Sequence, residues 1–382
     1  ARAEQVVVTA RDFSGARFRL VELNADVEQA LRAGDRVFIV GEPHERAVLC
    51  TPAKSFFLAK EDTSNLRLLT RHTAWSAPEP TDGESASGRR EIVVHGSARS
   101  HFVLQPKGPD VMRLKALLME SPFEHTPSDE SASAPQKRAK RHKLHTTEDL
   151  VLALQASEQE VLAMLEQLHA FNDAGAWWLL SAAYQSRVFG DLLDAIVQND
   201  WDCLAPPGIP LARLQAALDH PLVALRQCCK IYGAVVDGDG EERCTLEASK
   251  VAGFVARQLF EEQAAAGSDG DGWALEQFMD KWALRVPDSV AVSAAMLRGV
   301  ALTKTGKGKA ARVVYFPEED LPLDAKQRFE KLFQVQEKWT LEQLEPFIQS
   351  LVVPGTTQAA LLLKHTRSSR QVNSSERLYS RR

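Results

Sequence analysis

The side chains of this sequence that could do chemistry are lysines and arginines, and the chemistry would be the binding of phosphate. One group surrounds the glycine-containing stretch Thr305–Lys309: Lys304, Lys307, Lys309 and Arg312. Flexible cations on a loop between two strands suit contacts to phosphates, which position a protein on nucleic acid without reading its sequence. A solvated turn that happens to be basic explains these residues equally well, and both interpretations stay open.

A second basic group lies at the end of the chain. Residues 364–382 contain six lysines and arginines against one acid, Glu376, although the whole chain has a net charge of −5. The six are Lys364, Arg367, Arg370, Arg377, Arg381 and Arg382. Cations near a helix C-terminus also suit the negative end of the helix dipole, which would by itself explain Lys364 and Arg367. For the whole group we predict a folded, DNA-facing surface on which Arg377–Tyr379 returns as a strand.

The third basic group follows a stretch that cannot build a core. Residues 121–135 carry three prolines and no large apolar side chain apart from Phe123. Residues 137–143 then hold five cations: Lys137, Arg138, Lys140, Arg141 and Lys143. We interpret residues 121–145 as a disordered basic linker. Its charge run is either a solvated face or a nuclear import signal and phosphate-seeking tether, and these interpretations are compatible.

Motifs for catalysis, cofactors and metals are not found in the sequence. A phosphate loop is excluded at Thr305–Lys309, because Ala301 and Thr303 stand where a Walker A loop needs its first glycine. The acidic Asp-Gly turns at 237–240 and 269–272 lack the terminal Glu of a calcium loop. His142 and His145 have no cysteine partners. We therefore predict no catalytic residue, no metal and no cofactor.

Composition indicates an ordinary soluble, intracellular protein of more than one domain. A chain of 382 residues is too long for one core, and 44% hydrophobic with 25% charged residues is usual for globular proteins. The five cysteines form no CxxC pair, so we predict buried free thiols in a reducing compartment.

Hydrophobic periodicity divides the chain into a β-rich first part and a helical remainder. Short period-two segments over residues 1–120 predict a small barrel or sandwich, with one helix at Pro109–Glu120. The strand segments are Phe18–Leu23, Arg36–Val40, Arg46–Cys50, Ser55–Leu58, Leu66–Leu69, Ile92–Val94 and His101–Leu104.

From residue 146 the order helix, turn, helix, hairpin recurs, which is typical of a winged helix-turn-helix. Ser157 with Glu160, and Thr340 with Gln343, form capping boxes that mark helix starts. The predicted boundaries are 146–266 (one or two units), 267–320 and 321–382. The predicted fold class is thus α+β multidomain, with a small N-terminal β-barrel-like domain followed by tandem winged helix-turn-helix domains.

Two stretches carry a specific resemblance to a known family. The first is CTPAKSFFLAKEDTSNLRLL, Cys50–Leu69. The second runs from YFPEEDLP through RFEKLF, EKWTLEQLEPFI and ALLLKHTR to LYSRR, within Tyr315–Arg382. Together they resemble the sister chromatid cohesion protein DCC family. That family is a subunit of the alternative (chromosome transmission fidelity) form of the replication factor C clamp loader.

The resemblance implies a nuclear, non-catalytic adaptor. The N-terminal β domain would join the C-terminal tail of the loader's large subunit and the small companion cohesion subunit. The C-terminal winged helices would bind the catalytic region of DNA polymerase epsilon and single- and double-stranded DNA. Through the loader, such a protein acts indirectly on the PCNA ring, in its loading or unloading, and supports DNA replication and sister chromatid cohesion. No membrane contact is implied.

The alternative is a stand-alone winged-helix DNA-binding or transcription regulatory protein. It would need a recognition helix with Arg, Asn or Gln directed at base edges. The second helices predicted here, Val290–Leu297 and Thr357–Lys364, are mostly apolar or small. This favours backbone contact or protein docking over sequence reading. A hydrolase has no residue constellation behind it.

Overall fold

A computed structural model describes most of the chain, which forms two compact units. The described residues are 5–70, 90–125, 144–238, 240–265, 272–304, 310–322, 324–352, 357–370 and 377–382. The first unit comprises Ala1–Pro122 with Ala132–Leu179, and the second comprises Phe123–Ser131 with Leu180–Arg382. The fold is mixed α and β, which confirms the predicted class at that level.

The first unit is built on an open five-stranded sheet of order β1-β5-β4-β3-β2. Its strands are β1 (Gln5–Ser14), β2 (Phe38–Val40), β3 (Val48–Cys50), β4 (Ser55–Thr70) and β5 (Arg90–Pro106). β1 runs parallel to β5, and the other pairs are antiparallel. Among the described residues β1 and β2 remain the two edges and do not pair, so the prediction of a β-barrel-like domain is wrong for this chain by itself.

Four of the predicted short strands are parts of two long ones. β4 and β5 pair from Phe56 opposite Pro106 to Thr70 opposite Val94, with a register shift between Asp62 and Arg67. The polar residues between the apolar segments stay in the ladder because the partner strand satisfies their backbone groups. The predicted strand Phe18–Leu23 is wrong, since only Val21 forms a bridge there.

One helix and one strand of this unit escaped sequence reasoning. Helix α1 (Ala25–Ala33) begins at Asn24, whose side chain accepts from the Val27 amide at 2.9 Å, and ends at Gly34 with a φ of +78°. This cap pair is a local signal that was present in the sequence. Strand β1 also carried a local signal, the β-branched run Val6–Thr9.

The remaining elements of the first unit are helices and a short hairpin. They are α2 (Val111–Met119), α3 (Thr147–Leu154), α4 (Glu158–Gln167), β6 (Phe171–Asp173) and β7 (Ala176–Trp178). The Ser157–Glu160 capping box is confirmed, and Thr146 with Asp149 forms another. Leu114, Leu118, Leu150, Leu154 and Leu165 form the centre of their shared core.

Polar contacts join this helical part to the sheet. The Ser157 amide donates to Ser55 Oγ at 2.7 Å, and Ser55 also hydrogen-bonds Glu160. Lys107 Nζ donates to the carbonyls of Leu154 and Gln155 at 2.7 and 2.9 Å, which caps the end of α3. Burial lowers the pKa of the Lys107 ammonium. Ser55 of β4 and Lys107, which follows β5, thus hydrogen-bond the start of α4 and the end of α3.

The second unit opens with the long helix α5 (Ala182–Gln198) and then repeats one order of elements three times. Each repeat has a short strand, two helical segments and a hairpin, and its sheet has the order first, third, second strand. The first comprises β8 (Ile209–Pro210), α6 (Leu211–Ala217), α7 (Leu222–Tyr232), β9 (Gly233–Gly238) and β10 (Glu241–Leu246).

The second and third repeats complete the chain. After α8 (Ala248–Ala265) come β11 (Trp273–Ala274), α9 (Leu275–Ala283), a 3-10 turn (Ala294–Leu297), β12 (Ala301–Lys304) and β13 (Arg312–Tyr315). Then follow a 3-10 turn (Glu318–Asp320), α10 (Ala325–Val335), β14 (Lys338–Thr340), α11 (Leu341–Ile348), a 3-10 turn (Gln349–Leu351), α12 (Gln358–His365), β15 (Thr366–Arg370) and β16 (Arg377–Arg381). The Thr340–Gln343 capping box is confirmed, whereas the predicted helix Val290–Leu297 is only the 3-10 turn.

All five cysteines are buried and unbonded, as predicted. Burial raises the pKa of Cys228 to about 12. These thiols are therefore side chains of the core. No helix in the part of the chain that the structure describes is long and apolar enough to cross a membrane.

The last repeat is organised around a buried arginine. The Arg328 side chain is 1% exposed and pairs with Glu318. Its guanidinium also donates to Ser350 Oγ at 2.8 Å and to three carbonyl oxygens, those of Leu321, Pro322 and Phe347. A buried charge is tolerated when its donors are satisfied in this way. One side chain therefore connects α10 to the segment before it and to the end of α11.

Replacing this arginine tests that role. Arg328→Met should lower the free energy of unfolding by about 3–5 kcal/mol, because it leaves Glu318 and several buried carbonyls without their donor. Urea unfolding of the full chain, followed by the fluorescence of Trp339 and the other tryptophans, measures the change. Arg381→Met removes an exposed ion pair with Glu330 and should cost less than about 1 kcal/mol. Equal costs for the two variants would contradict the role of Arg328.

Candidate nucleic-acid interface

The first predicted basic group lies partly on the β12–β13 hairpin. Lys304 and Arg312 are exposed and stand opposite each other at the end of the strand pair next to the connecting segment. The Arg312 guanidinium donates to the Gly272 carbonyl at 2.7 Å, so it is directed toward β11. Lys307 and Lys309 lie outside the described residues. The structure therefore places two of these four cations together and turns one of them toward its own unit.

The import candidates Lys137, Arg138, Lys140, Arg141 and Lys143 all lie outside the described residues. The two ends of the predicted linker are described, and both are packed. Phe123 is buried and forms a bridge with Leu180, while His145 is buried and its carbonyl accepts from the Trp177 amide. The nuclear import interpretation stays a prediction.

The C-terminal basic group lies on α12 and on the β15–β16 hairpin, with residues 371–376 outside the described part. The predicted return strand is confirmed as β16, and Tyr379 packs against the core of the last repeat. The register places Thr366 opposite Arg381, Arg367 opposite Ser380 and Arg370 opposite Arg377. These pairs decide which cations share a face.

Residues directly opposite on neighbouring strands point to the same face of a sheet. The inner row is Trp339, Tyr379 and Ser368, because Trp339 is fully buried. The outer row is Lys338, Ser380 and Arg367, with Lys338 and Arg367 both exposed. Strands are about 4.8 Å apart, so the two outer cations start roughly 10 Å from each other.

Lys338 is a member of this surface that sequence reasoning missed. Its signal was the alternation in Lys338–Thr340, in which a tryptophan pointing inward requires its neighbours to point outward. The sequence does not show that β14 pairs with β16, the last strand, and not with β15, the next strand in the chain. The row exists only because of that non-local pairing.

Two of the predicted cations have other partners. Arg382 Nη1 donates to the carbonyls of Leu363 and Lys364 at 2.9 and 3.4 Å, and so caps α12. Arg381 Nη2 lies 3.6 Å from a Glu330 carboxylate oxygen, in a pair that is largely exposed. Helix capping therefore belongs to Arg382, where the sequence indicated Lys364 and Arg367.

Four cations remain without an acidic partner among the described residues: Lys364, Arg367, Arg370 and Arg377. With Lys338 they make up the hairpin cation surface. Lys338 and Arg367 lie on the outer face of the sheet, whereas Arg370 and Arg377, two residues from Ser368 and Tyr379, lie on its other face. Burial against Phe329, and then the charge of Lys364 nearby, lower the pKa of the His365 imidazole beside them, which disfavours its charged form. Its ring stacks on Phe329 with centroids 5.1 Å apart. The surface thus has fixed charge near neutral pH.

Arg370 and Arg377 form a cross-strand pair of like charges. Such pairs directly opposite each other destabilise an antiparallel ladder. Among the described residues no carboxylate offsets the repulsion between the two guanidinium groups, whereas a bound anion such as phosphate would offset it. This pair is the strongest local indication that the hairpin cation surface meets an anionic ligand.

Comparison with known proteins decides the family. The model of the family "Sister chromatid cohesion protein Dcc1" matches residues 18–348, which is most of the chain. The chain belongs to the Dcc1 family. The sister chromatid cohesion protein DCC1 of Homo sapiens is 29% identical over 357 residues, covering 93% of this chain and 86% of the human protein.

Relatives from other organisms match over similar lengths. The Xenopus laevis protein of the same name is 30% identical over 365 residues, covering 94% of this chain and 88% of its own. The probable sister chromatid cohesion protein DCC1 of Dictyostelium discoideum is 23% identical and covers 95% and 94%. Membership of the Dcc1 family supports a role in sister chromatid cohesion.

The family match covers only part of the candidate interface. The matched span ends at residue 348, at the end of α11, so it includes Lys338 on β14, whereas α12 and the β15–β16 hairpin lie beyond it. The match to the family model therefore does not depend on Lys364, Arg367, Arg370 or Arg377. Their function has to be inferred from their own geometry. In the described residues no group of His, Cys, Asp and Glu could hold a metal ion.

The repulsion between Arg370 and Arg377 can be measured as a change in stability when one of them is replaced. Arg370→Thr should raise the stability of the full chain by about 0.2–1 kcal/mol in low salt, since it removes the repulsion from Arg377. Thermal unfolding gives the difference, and heparin as a polyanion should reverse its sign by stabilising only the parent chain. Lys326→Thr, an exposed cation on α10, provides the control. A loss of stability in Arg370→Thr without heparin would contradict the assignment.

Proposed function

We propose that this chain is a non-catalytic adaptor of the alternative replication factor C clamp loader, acting in the nucleus in DNA replication and sister chromatid cohesion. The observation that carries the proposal is the collinear match of nearly the whole chain to sister chromatid cohesion proteins. The clamp-loader role follows from the family resemblance of Cys50–Leu69 and Tyr315–Arg382. PCNA is reached only through the loader.

The N-terminal sheet is the proposed assembly surface for the loader's large subunit and the small companion cohesion subunit. Its core, built on Val27, Leu49 and Phe56, covers one end of the sheet. At the other end large apolar side chains are exposed, among them Val7, Leu66 and Leu68 at 58%, 48% and 51%. Open edges and uncovered apolar side chains both favour the addition of partner strands.

The three strand–helix–helix–hairpin repeats support an assignment as winged helix-turn-helix units. In the last one, α12 occupies the place of a recognition helix. Apart from Lys364 in its last turn, it exposes Ala359, Ala360 and Leu363, none of which can hydrogen-bond a base edge. This composition disfavours the alternative of a sequence-reading transcription regulator. It suits docking to a protein, and polymerase epsilon is the partner that the resemblance implies.

DNA contact is assigned to the hairpin cation surface, which would bind phosphates of single- and double-stranded DNA. Its cations lie on strands and at a helix end, and their number and spacing suit contacts to a backbone. Lys304 forms a second, smaller site on the β12–β13 hairpin. Binding of this kind is strong at low salt and has little sequence preference.

Reversal of charge on the outer row tests the DNA contact. Lys338→Glu with Arg367→Glu should weaken binding of a scrambled duplex at least tenfold at low salt. The slope of log K against log salt should fall by about 2, one for each lost phosphate contact. The matched control is Lys115→Glu with Lys230→Glu, which changes the net charge equally at exposed positions elsewhere. Equal affinity losses in both variants would exclude a localised surface.

A substitution at the uncovered end of the sheet tests the assembly. Leu66→Lys with Leu68→Lys should leave the chain folded, since both side chains are exposed, but should abolish co-purification with the loader's large subunit and companion subunit. Leu152→Lys, at an exposed position of α3, is the control and should retain both partners. If the double variant still co-purified with both partners, the N-terminal sheet would not be the assembly surface. If the unchanged chain did not co-purify with them, the clamp-loader proposal would be wrong.

A further inference from the structure

A groove in the second unit is not used by the proposed function. It has a volume of about 960 Å³ and lies between the C-terminal half of α8, strand β11 and helix α9. Its lining includes Leu259, Trp273, Gln277, Lys281, Leu284 and Arg285. It is separate in sequence from the β14–β16 hairpin and from the N-terminal sheet.

Helix α9 presents two different faces. Phe278 and Trp282 are fully buried, and the Trp282 indole donates to the Ala252 carbonyl at 2.8 Å, which fixes α9 against α8. Gln277, Lys281 and Leu284 follow the spacing of i, i+4 and i+7 on the adjacent face, toward the groove. The groove wall is therefore held by the core and needs no partner to form.

The side chains of this wall combine an apolar position with cations. Leu284 is 86% exposed, which makes it the most exposed large apolar side chain among the described residues. Lys281 Nζ lies 4.6 Å from the ring centroid of Trp273 and has no carboxylate within ion-pair distance in the described part of the chain. Such a combination fits a ligand that offers both an apolar group and negative charge.

The charge of the groove is positive. Arg285 forms a bidentate pair with Glu262, at 3.0 and 2.9 Å, which is half-exposed on both sides. Glu262 is the one carboxylate in the lining, against the cations Lys281, Arg285 and Arg312. A ligand carboxylate would add to this network beside Arg285 and Lys281, and would gain most at Lys281.

The dimensions of the groove select an extended peptide. From Gln277 to Ala283 the helix rises about 9 Å, which an extended chain covers in about three residues, and Leu284 and Arg285 follow at the helix end. β11 is an edge strand, since its sheet has the order β11-β13-β12. Its second edge can accept backbone hydrogen bonds from an added segment. A short extended peptide thus matches the groove in length and in backbone chemistry.

We propose that this groove binds a short extended segment of a partner protein, with two or more acidic residues around one large apolar side chain. The apolar side chain covers Leu284 and the edge of Trp273, and the carboxylates lie beside Lys281 and Arg285. The inference is independent of the proposed DNA contact, because the hairpin cations take no part in it.

The test begins with the unchanged full-length chain and a displayed library of random eight-residue peptides. We expect the enriched peptides to share acidic residues flanking Leu, Phe or Trp. The best of them, made synthetically with a fluorescent label, should bind at least tenfold more weakly to Lys281→Glu and to Leu284→Asp. Absence of enrichment, or enrichment of peptides without acids, would overturn the proposal.

Matched control variants distinguish binding in the groove from non-specific electrostatic or hydrophobic binding of the peptide. Lys326→Glu has the same charge change on α10, and Leu363→Asp alters a side chain that is 78% exposed on α12. Both should bind the peptide as the parent chain does. Leu284→Met should also retain binding, which excludes loss through misfolding. Equal loss in the controls would overturn the site, as would displacement of the peptide by a twelve-nucleotide DNA at equal concentration.

Discussion

The position of the C-terminal surface depends on the buried guanidinium of Arg328. Ion pairing with Glu318 and hydrogen bonds to Ser350 and three carbonyls hold α10, the preceding segment and the end of α11 together. The same repeat packs Trp339 and Phe347 into its core. Because Trp339 anchors β14, and β14 sets the register of β16, the buried charge indirectly decides where the outer row of cations lies.

The two units solve the problem of burial differently. The last repeat has a well-packed core of aromatic and leucine side chains, to which Leu302 of β12 also contributes. The N-terminal sheet has a core at one end only and keeps two open edges and an exposed apolar end among its described residues. Added partner strands would stabilise a sheet of this kind most, because they would pair its open edges. The last repeat offers partners its surface side chains instead. In the proposed function, the first unit would assemble with partners and the second would make the DNA contacts.

Cations of equal appearance in the sequence have different physical roles in the structure. Arg328 is a buried connector, Arg382 is a helix cap, and Arg381 belongs to an exposed ion pair. Arg370 and Arg377 stand directly opposite each other, and neither pairs with an acid among the described residues. Burial and pairing separate these roles, since a guanidinium that already donates to protein acceptors has less to offer a phosphate. Only the unpaired members are candidates for binding DNA.

Much that depends on neighbours in sequence was predictable. The capping boxes at Ser157 and Thr340, the return strand at Arg377–Tyr379, the buried thiols and the family could all be inferred, because caps, alternation and motifs are local patterns. The long β4–β5 ladder, the open sheet, the place of Lys338 and the groove beside Leu284 were decided by tertiary structure. Each of these depends on which distant strand or helix becomes a neighbour, and a pairing between distant segments leaves no mark in either segment alone.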